Sequence, residues 1–363
     1  MFFLQKLALA YCYRLMLIIV SFSFANIAIA SSTSIPVSKA SMDPLLDLSI
    51  EELMKIKITS VSRREQKLSG TPSAIFVITQ EDIRRSGATS IPEALRMAPG
   101  VEVARVGTDK WSISVRGFNG RFANKLQVLM DGRSVYTPLF SGVIWSQQDT
   151  LMEDIERIEI IRGPGATVWG ANAVNGVINI ITKKAVDTQG TMVTAGGGSF
   201  EQGFIGMRYG GKINEATPFR VYAKGFSRDN THSLAGSNLQ DNWRSARAGF
   251  RLDHTRGIDQ LTLQGDVFIN RIGDSLLQPT LVSPFNRLDV VDTTEKGGNI
   301  RFRWDRNFSD QSSIMLQTYY DRVHNQLTPW TKYAESFDID FQHRLPILKS
   351  HDVTWGLNYR LYH

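Results

Sequence analysis

The chain has almost no cysteine. Its single thiol, Cys12, lies within the first 30 of 363 residues, so the chain cannot form an internal disulfide. If this leading segment is removed, the rest of the chain carries no thiol at all. A thiol-free chain suits an oxidising compartment and excludes a cysteine-based redox role.

Long hydrophobic runs are missing as well. After residue 30, no stretch reaches the ~18 consecutive apolar residues that a membrane-spanning helix needs. A role in a membrane would therefore require a β-barrel, the other fold that satisfies its backbone hydrogen bonds in lipid.

The parts of an active site are also missing. The charged pairs Glu156/Arg157 and Glu159/Arg162 have no nucleophile or matched histidine beside them. Six histidines are scattered without the spacing of metal ligands, and the methionines do not cluster. We therefore expect no enzymatic activity, no metal site and no cofactor.

The glycines and the charge do not indicate nucleotide or nucleic-acid binding. Gly163 and Gly165 are followed by Gly170, which fits neither GxGxxG nor GxxxxGK(S/T), and the segment leads into a strand and not a helix. The net charge of +6 suits nucleic acid, an anionic surface or an anionic substrate. Because Lys and Arg are spread along the chain and not clustered with aromatics, nucleic acid is not an expected partner.

Residues 1–30 have the pattern of a secretory signal peptide. Lys6 and Arg14 form a basic region, a mostly apolar segment follows, and Ala28 and Ala30 offer small residues for cleavage. An N-terminal anchor helix is the alternative, although the apolar part is short for a span. Residues 31–56 are expected to form a flexible tail with one short amphipathic helix.

Residues 63–186 predict a small α+β domain. A helix is expected over residues 80–86, where Thr79 caps the start and Gly87 ends it. A second helix is expected to begin with a capping box at residues 90–93. The expected strands are 74–79, 101–106, 112–116, 155–161 and 177–181, with a hairpin turn at residues 130–133.

Residues 189–363 alternate between apolar and polar side chains over repeated segments. Ala248, Phe250 and Leu252, for example, interleave with Arg247 and Arg251. Segments of about nine residues or more have the length of a tilted membrane strand. The nine expected strands cover residues 191–197, 200–210, 219–228, 245–253, 261–270, 300–305, 313–321, 336–344 and 353–361.

The connectors between these segments differ in length. Residues 229–241, 271–295 and 322–332 are expected to be long polar loops, and the other turns are mostly short. Long loops at one end and short turns at the other are typical of outer-membrane barrels. The last expected strand ends near His363, which would leave an edge without a partner in lipid. We therefore expect this chain to be a fragment of a longer protein.

Residues 154–184, DIERIEIIRGPGATVWGANAVNGVINIITKK, resemble the signature that closes the plug domain of TonB-dependent outer-membrane receptors, which import scarce nutrients. Residues 79–101 resemble the opening of the same domain, and residues 126–133 continue the resemblance. The resemblance implies an α+β plug domain at 63–186, followed at 189–363 by an antiparallel transmembrane β-barrel. That barrel would be incomplete here, with about nine of an expected 22 strands.

The resemblance also implies a coupling segment ahead of the plug. In this family a mobile extended stretch, the TonB box, is captured in the periplasm by TonB. The matching residues are Lys57, Ile58, Thr59, Ser60, Val61 and Ser62. The alternating β-branched and polar residues fit a strand that a partner strand can extend, and a simple linker is the alternative.

Two further sets of site residues follow from the resemblance. Contacts between plug and barrel wall would involve Arg116, Glu156, Arg157, Glu159, Arg162 and Gly163. Aromatic residues in apical plug loops, which face the substrate in this family, are Phe118, Phe122, Tyr136, Phe140 and Trp145. Packing into the local core is the alternative for these aromatics.

The expected function is active uptake of a scarce nutrient, with a ferric siderophore favoured and cobalamin or haem as alternatives. The expected partners are TonB with its inner-membrane energising complex, outer-membrane lipid, and an anionic or metal-chelate ligand. The location would be the outer membrane of a Gram-negative bacterium, reached by Sec-type export. A competing hypothesis is a truncated, non-transporting remnant or a periplasmic binding or interaction module.

Overall fold

The computed structural model describes residues 57–58, 66–67, 74–170, 172–233, 236–309, 311–327, 330–347 and 351–363. The predicted signal peptide, the predicted tail with its short helix, and residues 59–62 of the coupling segment lie outside the described residues. Among the described residues, no helix is long and apolar enough to cross a membrane.

Short strands and helices form the plug domain. The strands are β1 Lys57–Ile58, β2 Gln66–Lys67, β3 Ile75–Thr79, β4 Val101–Arg105, β5 Trp111–Val115, β6 Leu126–Met130, β7 Arg133–Ser134, β8 Ile155–Arg162 and β9 Gly176–Thr182. The helices are α1 Gln80–Ser86, α2 Ile91–Leu95 and α3 Ala166–Trp169, with 3₁₀ turns at Trp145–Gln147, Met152–Asp154 and Ala185–Thr188.

The central plug sheet has the strand order β3-β8-β9-β6-β7, in which β6 and β9 are parallel and the other pairs antiparallel. β1 pairs with β2, and β4 pairs with β5, in two separate ribbons. The isoleucines of β8 and those of β9 except Ile181 are buried because these strands lie in the middle of the sheet. Each fully buried isoleucine stabilises the domain by about 1.5–3 kcal/mol.

Helix α1 begins and ends where the sequence predicts. The Thr79 hydroxyl accepts a hydrogen bond from the Asp82 amide at 3.2 Å, and the Thr79 amide donates to the Asp82 carboxylate at 2.8 Å. This reciprocal pair is a capping box. Gly87 ends the helix with a φ of 67°, a left-handed conformation that glycine adopts without strain.

The capping box predicted for α2 is wrong. Ser90 is the N-cap residue, but its side chain makes no cap hydrogen bond. The Glu93 carboxylate accepts hydrogen bonds from Arg96 at 2.5 Å and from Arg105 at 2.8 Å. The Glu93 carboxylate is therefore bound by two guanidinium groups and does not accept a hydrogen bond from the Ser90 amide.

Nine antiparallel strands follow the plug, as predicted, and each pairs with the next in sequence order. They are β10 Gly190–Gly196, β11 Glu201–Asn214, β12 Thr217–Arg228, β13 Trp243–Arg256, β14 Asp259–Pro279, β15 Asn286–Ser309, β16 Ser312–Leu327, β17 Trp330–Ile347 and β18 His351–Tyr362.

Two of the three predicted long loops are wrong. β14 continues to Pro279 and β15 starts at Asn286, so the connector covers only residues 280–285. β16 likewise continues to Leu327, and β17 starts at Trp330. These extensions carry polar and apolar residues on the same face, such as Asp274 beside Ile272, which breaks the hydrophobic alternation, but their backbone pairing continues without a break in register. Only the connector 229–242 is a long loop.

The two faces of the nine-stranded sheet differ in chemistry. Val267 and Leu357 are 63% and 73% exposed on one face, whereas Asn270 and Asp338 are 0% and 1% exposed on the other. The buried face carries arginines and acids that contact the plug, and the exposed face is mostly aliphatic and aromatic. The side chains therefore alternate as predicted, with the polar set turned inward.

The two helix starts generate a matched prediction. Thr79→Ala removes a cap hydrogen bond and should lower the free energy of unfolding of the plug by about 1 kcal/mol. Ser90→Ala should change it little, because the Ser90 hydroxyl is buried without a hydrogen-bond partner. Urea unfolding followed by the fluorescence of Trp111 and Trp145, both in the plug core, measures both variants. Equal losses would contradict the assignment of the caps.

Candidate functional site

The hairpin turn between β6 and β7 carries the plug against the sheet. Asp131 and Gly132 have φ values of 51° and 81°, the left-handed pair that a type I′ turn needs. A Cβ on Gly132 would lie 2.9 Å from the amide oxygen of Gln317 in β16, so glycine also permits the close approach of the two backbones. The turn projects the charged side chains of Asp131 and Arg133 into the interface.

Asp131 joins three strands. Its carboxylate accepts hydrogen bonds from the amide and the hydroxyl of Thr182, both at 2.8 Å, and from the Gln264 side chain at 2.8 Å. Burial alone would raise the pKa of Asp131, but the nearby guanidinium groups of Arg301 and Arg251 outweigh it and lower the pKa. Asp131 is therefore an anion held by the cations of the sheet.

Arg133 has the opposite arrangement. Its guanidinium donates to the Asp321 carboxylate at 2.7 Å, and the Gly132 carbonyl between the two charged residues accepts from Gln317 at 3.0 Å. The negative side of the turn thus faces arginines, and the positive side faces an aspartate. This order of charges selects one register of the turn on the sheet.

Asp154 is a second anchor, at the start of β8. Its side chain is 0% exposed, and its carboxylate is paired with Arg208 of β11. The Nε atom of Arg220 in β12 lies 3.5 Å from the other carboxylate oxygen, an ion pair with no well-formed hydrogen bond. A buried carboxylate without such partners would cost several kcal/mol. The plug therefore depends on the sheet to neutralise Asp154.

The 3₁₀ turn Trp145–Gln147 is held at the end of the sheet that carries the connectors 229–242 and 280–285, here called the connector end. The buried Glu295 carboxylate accepts from the Ser146 hydroxyl at 3.0 Å and from the Gln147 side chain at 3.3 Å. Asn270 donates to the Ser146 carbonyl at 2.9 Å, and Arg247 donates to the Gln147 carbonyl at 2.6 Å. Plug loops therefore lie at the connector end.

The tip of the β4–β5 ribbon is held at the same end. The Thr108 amide donates to the Asp241 carboxylate at 3.0 Å, and Lys110 forms an ion pair with Asp274. Asp109 lies between these contacts. Burial raises the pKa of Asp109 to about 7; Lys110 opposes this rise, whereas Glu295 and Asp274 add to it.

A polar cavity of about 30 Å³ lies between plug and sheet, lined by residues that include Asp131, Arg220, Arg251 and Asp266. Its volume suits about two water molecules and is far too small for an organic ligand. Within the described part of the chain, no three His, Cys, Asp or Glu side chains are arranged to hold a metal ion. This interface therefore holds the plug on the sheet and is too small to be a ligand chamber.

Comparison with known proteins gives a family match for the plug and a match in fold for the larger part of the chain. Residues 67–177 match the family model of the TonB-dependent receptor plug domain. These residues therefore form a TonB-dependent receptor plug domain. A vitamin B12 transporter of Vibrio cholerae is 32% identical over 200 residues, which cover 54% of this chain and 31% of that protein. One of Photobacterium profundum is 32% identical over 218 residues, 54% of this chain and 35% of that protein. The chain thus spans about a third of the length of these relatives.

Solved receptor structures share the fold. The ferripyoverdine receptor of Pseudomonas aeruginosa has a TM-score of 0.64 at 18% identity, over 84% of this chain and 44% of that one. The ferric yersiniabactin uptake receptor of Yersinia pestis has a TM-score of 0.66 at 15% identity, over 84% and 50%. These matches confirm the predicted fold class of a plug followed by part of an antiparallel barrel.

The residues predicted to join plug and barrel wall make their described contacts within the plug. Arg157 pairs with both Glu156 and Glu159. Arg162 donates to the Pro99 carbonyl at 3.1 Å, and Arg116 lies beside Gly163, whose added Cβ would be 3.6 Å from the guanidinium. Their predicted role at the wall stays a prediction.

The predicted aromatic residues divide into two groups. Phe118 and Phe122 are 76% and 58% exposed, and Phe122 packs edge-on against Phe140 at 4.9 Å. Trp145 is buried in the plug core, which fits the alternative of local packing. Tyr136 is half-buried, and its hydroxyl bonds Ser141 at 2.9 Å.

Only two residues of the predicted TonB box are described. Lys57 and Ile58 form β1 and pair with Lys67 and Gln66 of β2. The sequence reasoning missed the anchors Asp131, Arg133 and Asp154. The pattern that could have indicated these anchors is a charged residue at the end of a strongly apolar strand. The pattern at residues 130–133 predicts only a turn.

The pair of Arg133 and Asp321 generates a prediction. Both side chains are mostly buried, at 8% and 18% exposure, so Asp321→Asn leaves an unpaired buried cation and should destabilise the protein by about 3–5 kcal/mol. The double variant Arg133→Asp with Asp321→Arg should recover part of this loss. Asp289→Asn, which breaks the exposed pair with Arg287, is the control and should change nothing measurable. Denaturant unfolding measures all four proteins, and a swap no better than the single variant would contradict the pairing.

Asp109 generates a prediction about pH. The folded protein raises the pKa of Asp109 to about 7, above the ~3.9 of an unfolded chain. Its protonation therefore favours folding at pH 4, and this contribution is lost as the pH rises to 7. Asp109→Asn should remove that part of the pH dependence, so that its stability relative to the parent increases from pH 4 to pH 7. The exposed Asp187→Asn is the control; a parallel curve for Asp109→Asn would contradict the assignment.

Proposed function

We propose that the protein is an outer-membrane receptor that takes up a scarce nutrient with energy delivered through TonB. The observation that carries the proposal is the plug seated by buried charges on the inward face of a sheet whose outward face is apolar. An apolar outward face suits lipid. A plug filling the inside suits transport that requires the plug to move.

The ligand would bind over the plug at the connector end. Phe122 and Phe140 pack together there, and the Arg121 guanidinium lies 5.2 Å from the centre of the Phe122 ring. The loop 136–142 is tied to the sheet by Lys332, which donates to the Thr137 hydroxyl at 3.3 Å. Exposed aromatic rings beside a cation suit a planar anionic chelate.

Backbone conformation supports a functional role of these loops. Arg116, Phe118 and Ser141 have φ values of 57°, 59° and 61°. Non-glycine residues in the left-handed region cost about 1–3 kcal/mol each and collect at functional sites. These residues lie in the two loops that carry Phe118, Phe122 and Phe140, here called the aromatic surface.

We favour a ferric siderophore as the ligand because siderophore receptors share the fold and the aromatic surface suits a chelate. Cobalamin is the second candidate, since the sequence relatives from Vibrio cholerae and Photobacterium profundum are named vitamin B12 transporters. Relatives and structural neighbours are named as transporters and receptors and not as enzymes. Growth of a receptor-deletion strain that carries the gene, on a panel of ferric chelates and cobalamin, separates the two candidates.

The coupling segment generates the test of the mechanism. A TonB strand would add to the backbone of residues 57–62, and Ile58→Pro removes an amide and fixes φ. Ile58→Pro and deletion of residues 57–62 should abolish energy-dependent uptake while ligand binding at the cell surface is retained. Ile58→Val is the control and should transport normally. Uptake that survives the deletion would overturn coupling through TonB. A protein that binds TonB but takes up no ligand would favour a non-transporting module.

A further inference from the structure

A row of cations crosses the outward face of the sheet near the connector end. It consists of Arg244 in β13, Arg271 in β14, Lys296 in β15 and Arg322 in β16, here called the basic row. All four side chains are exposed. Their outward direction follows from alternation, because Arg247, Asn270, Glu295 and Asp321 on the same strands contact the plug or the inner face.

The register of the strands brings the row together. Arg244 is the direct cross-strand partner of Arg271. Lys296 is paired with Ile269, two residues from Arg271, and Arg322 is paired with Gly298, two residues from Lys296. Direct partners on one face lie about 5 Å apart and diagonal ones about 7–8 Å. Four neighbouring strands therefore present one continuous line of positive charge.

The cations of the basic row mostly lack the carboxylate partners that the inner arginines have. Inside, Arg133, Arg208 and Arg247 each pair with a carboxylate. On the outward face, Arg322 pairs with Glu335 at 3.3 Å, but within the described residues Arg244, Arg271 and Lys296 form no ion pair. Like charges directly opposite on a sheet destabilise it, so the row calls for an external anion.

The surroundings of the row specify the kind of anion. On the side away from the connectors, the same face is apolar, with Val267 63% and Ile300 47% exposed. His324, the cross-strand partner of Lys296, stacks on Tyr333 at 4.3 Å, an aromatic pair of the kind found at a membrane interface. Asp292 is the nearest other acid on this face; it is paired with Gly273 and is therefore a diagonal neighbour of Arg271, about 7–8 Å away. Four cations thus face two acids, Glu335 and Asp292, and the row keeps a positive charge where an apolar surface meets a polar one.

We propose that the basic row binds the phosphate groups of a membrane lipid head group. Arginine offers a planar pair of donors that matches phosphate, and Arg244 and Arg271 stand side by side to grip one group together. Acyl chains of the same lipid would cover Val267, Ile269 and Ile300. The proposal rests on the proposed function, because it needs the outward face to lie in a bilayer.

The test compares lipids that differ only in the head group. The full chain is reconstituted in phosphatidylcholine nanodiscs with a trace of fluorescent phosphatidic acid or fluorescent phosphatidylcholine, and lipid retention is measured by energy transfer from the tryptophans. The parent should prefer phosphatidic acid. Arg244→Gln with Arg271→Gln should weaken that preference by about thirtyfold, the loss of two cations at a lipid surface. Arg256→Gln, an exposed outward cation at the other end of β13, is the control and should bind as the parent does.

Several results would overturn the proposal. Equal retention of phosphatidic acid by the double variant and the parent would exclude the row, and displacement by inorganic phosphate at similar concentration would indicate a free-phosphate site. If the double variant fails to insert, Lys296→Gln gives the same comparison with a smaller loss. A parent that inserts but shows no preference contradicts this inference alone, whereas a parent that does not insert into nanodiscs contradicts the proposed function as well.

Discussion

Buried charge between plug and sheet is the constraint on which the structure depends. Asp154 is fully buried in the plug and is neutralised by Arg208 and Arg220 from the sheet. Arg133 is neutralised by Asp321, and Asp131 by the arginines around it. Neither the plug surface nor the inner face of the sheet could be buried against an uncharged partner, because an unpaired buried charge costs several kcal/mol. Plug and sheet are therefore complementary by charge, and each needs the other to be stable.

The same constraint explains why the proposed transport needs an external energy source. Moving the plug would separate several buried ion pairs at once, and water would have to replace each partner. The polar cavity beside Asp131 and Arg220 gives water a first place to enter. After such a movement the plug could bind the sheet again in the same position, because the order of charges on the turn at residues 131–133 selects one register.

Much of the fold could be predicted from the sequence, and the misses have physical reasons. Thr79 and Gly87 bound α1 as expected because capping is local. All nine strands of the sheet were found because one face of each is apolar. The extensions of β14 to β17 are not predicted because their polar and apolar residues do not alternate regularly, although the backbone pairing continues. The capping box predicted at Ser90 is absent because Arg105, twelve residues from Glu93, donates a hydrogen bond to the Glu93 carboxylate.

The candidate site was less predictable. The resemblance predicts Arg157 and Glu159, whose described pair lies within the plug, whereas Arg133 and Asp154 are among the plug residues that contact the sheet. Which cation faces which carboxylate depends on partners more than fifty residues away, such as Arg208 for Asp154. No local pattern contains that information. The exposure of Phe118 and the burial of Trp145 likewise depend on how two loops pack.

The central claim is that the nine-stranded sheet turns its charged face to the plug and its apolar face to lipid. The most direct measurement is a scan of single cysteines over residues 266–270 of β14, after replacement of Cys12, with spin labels and a lipid-soluble relaxation agent. The account predicts collisions with the agent at positions 267 and 269 and protection at 266, 268 and 270. Uniform accessibility, or the opposite alternation, would contradict it.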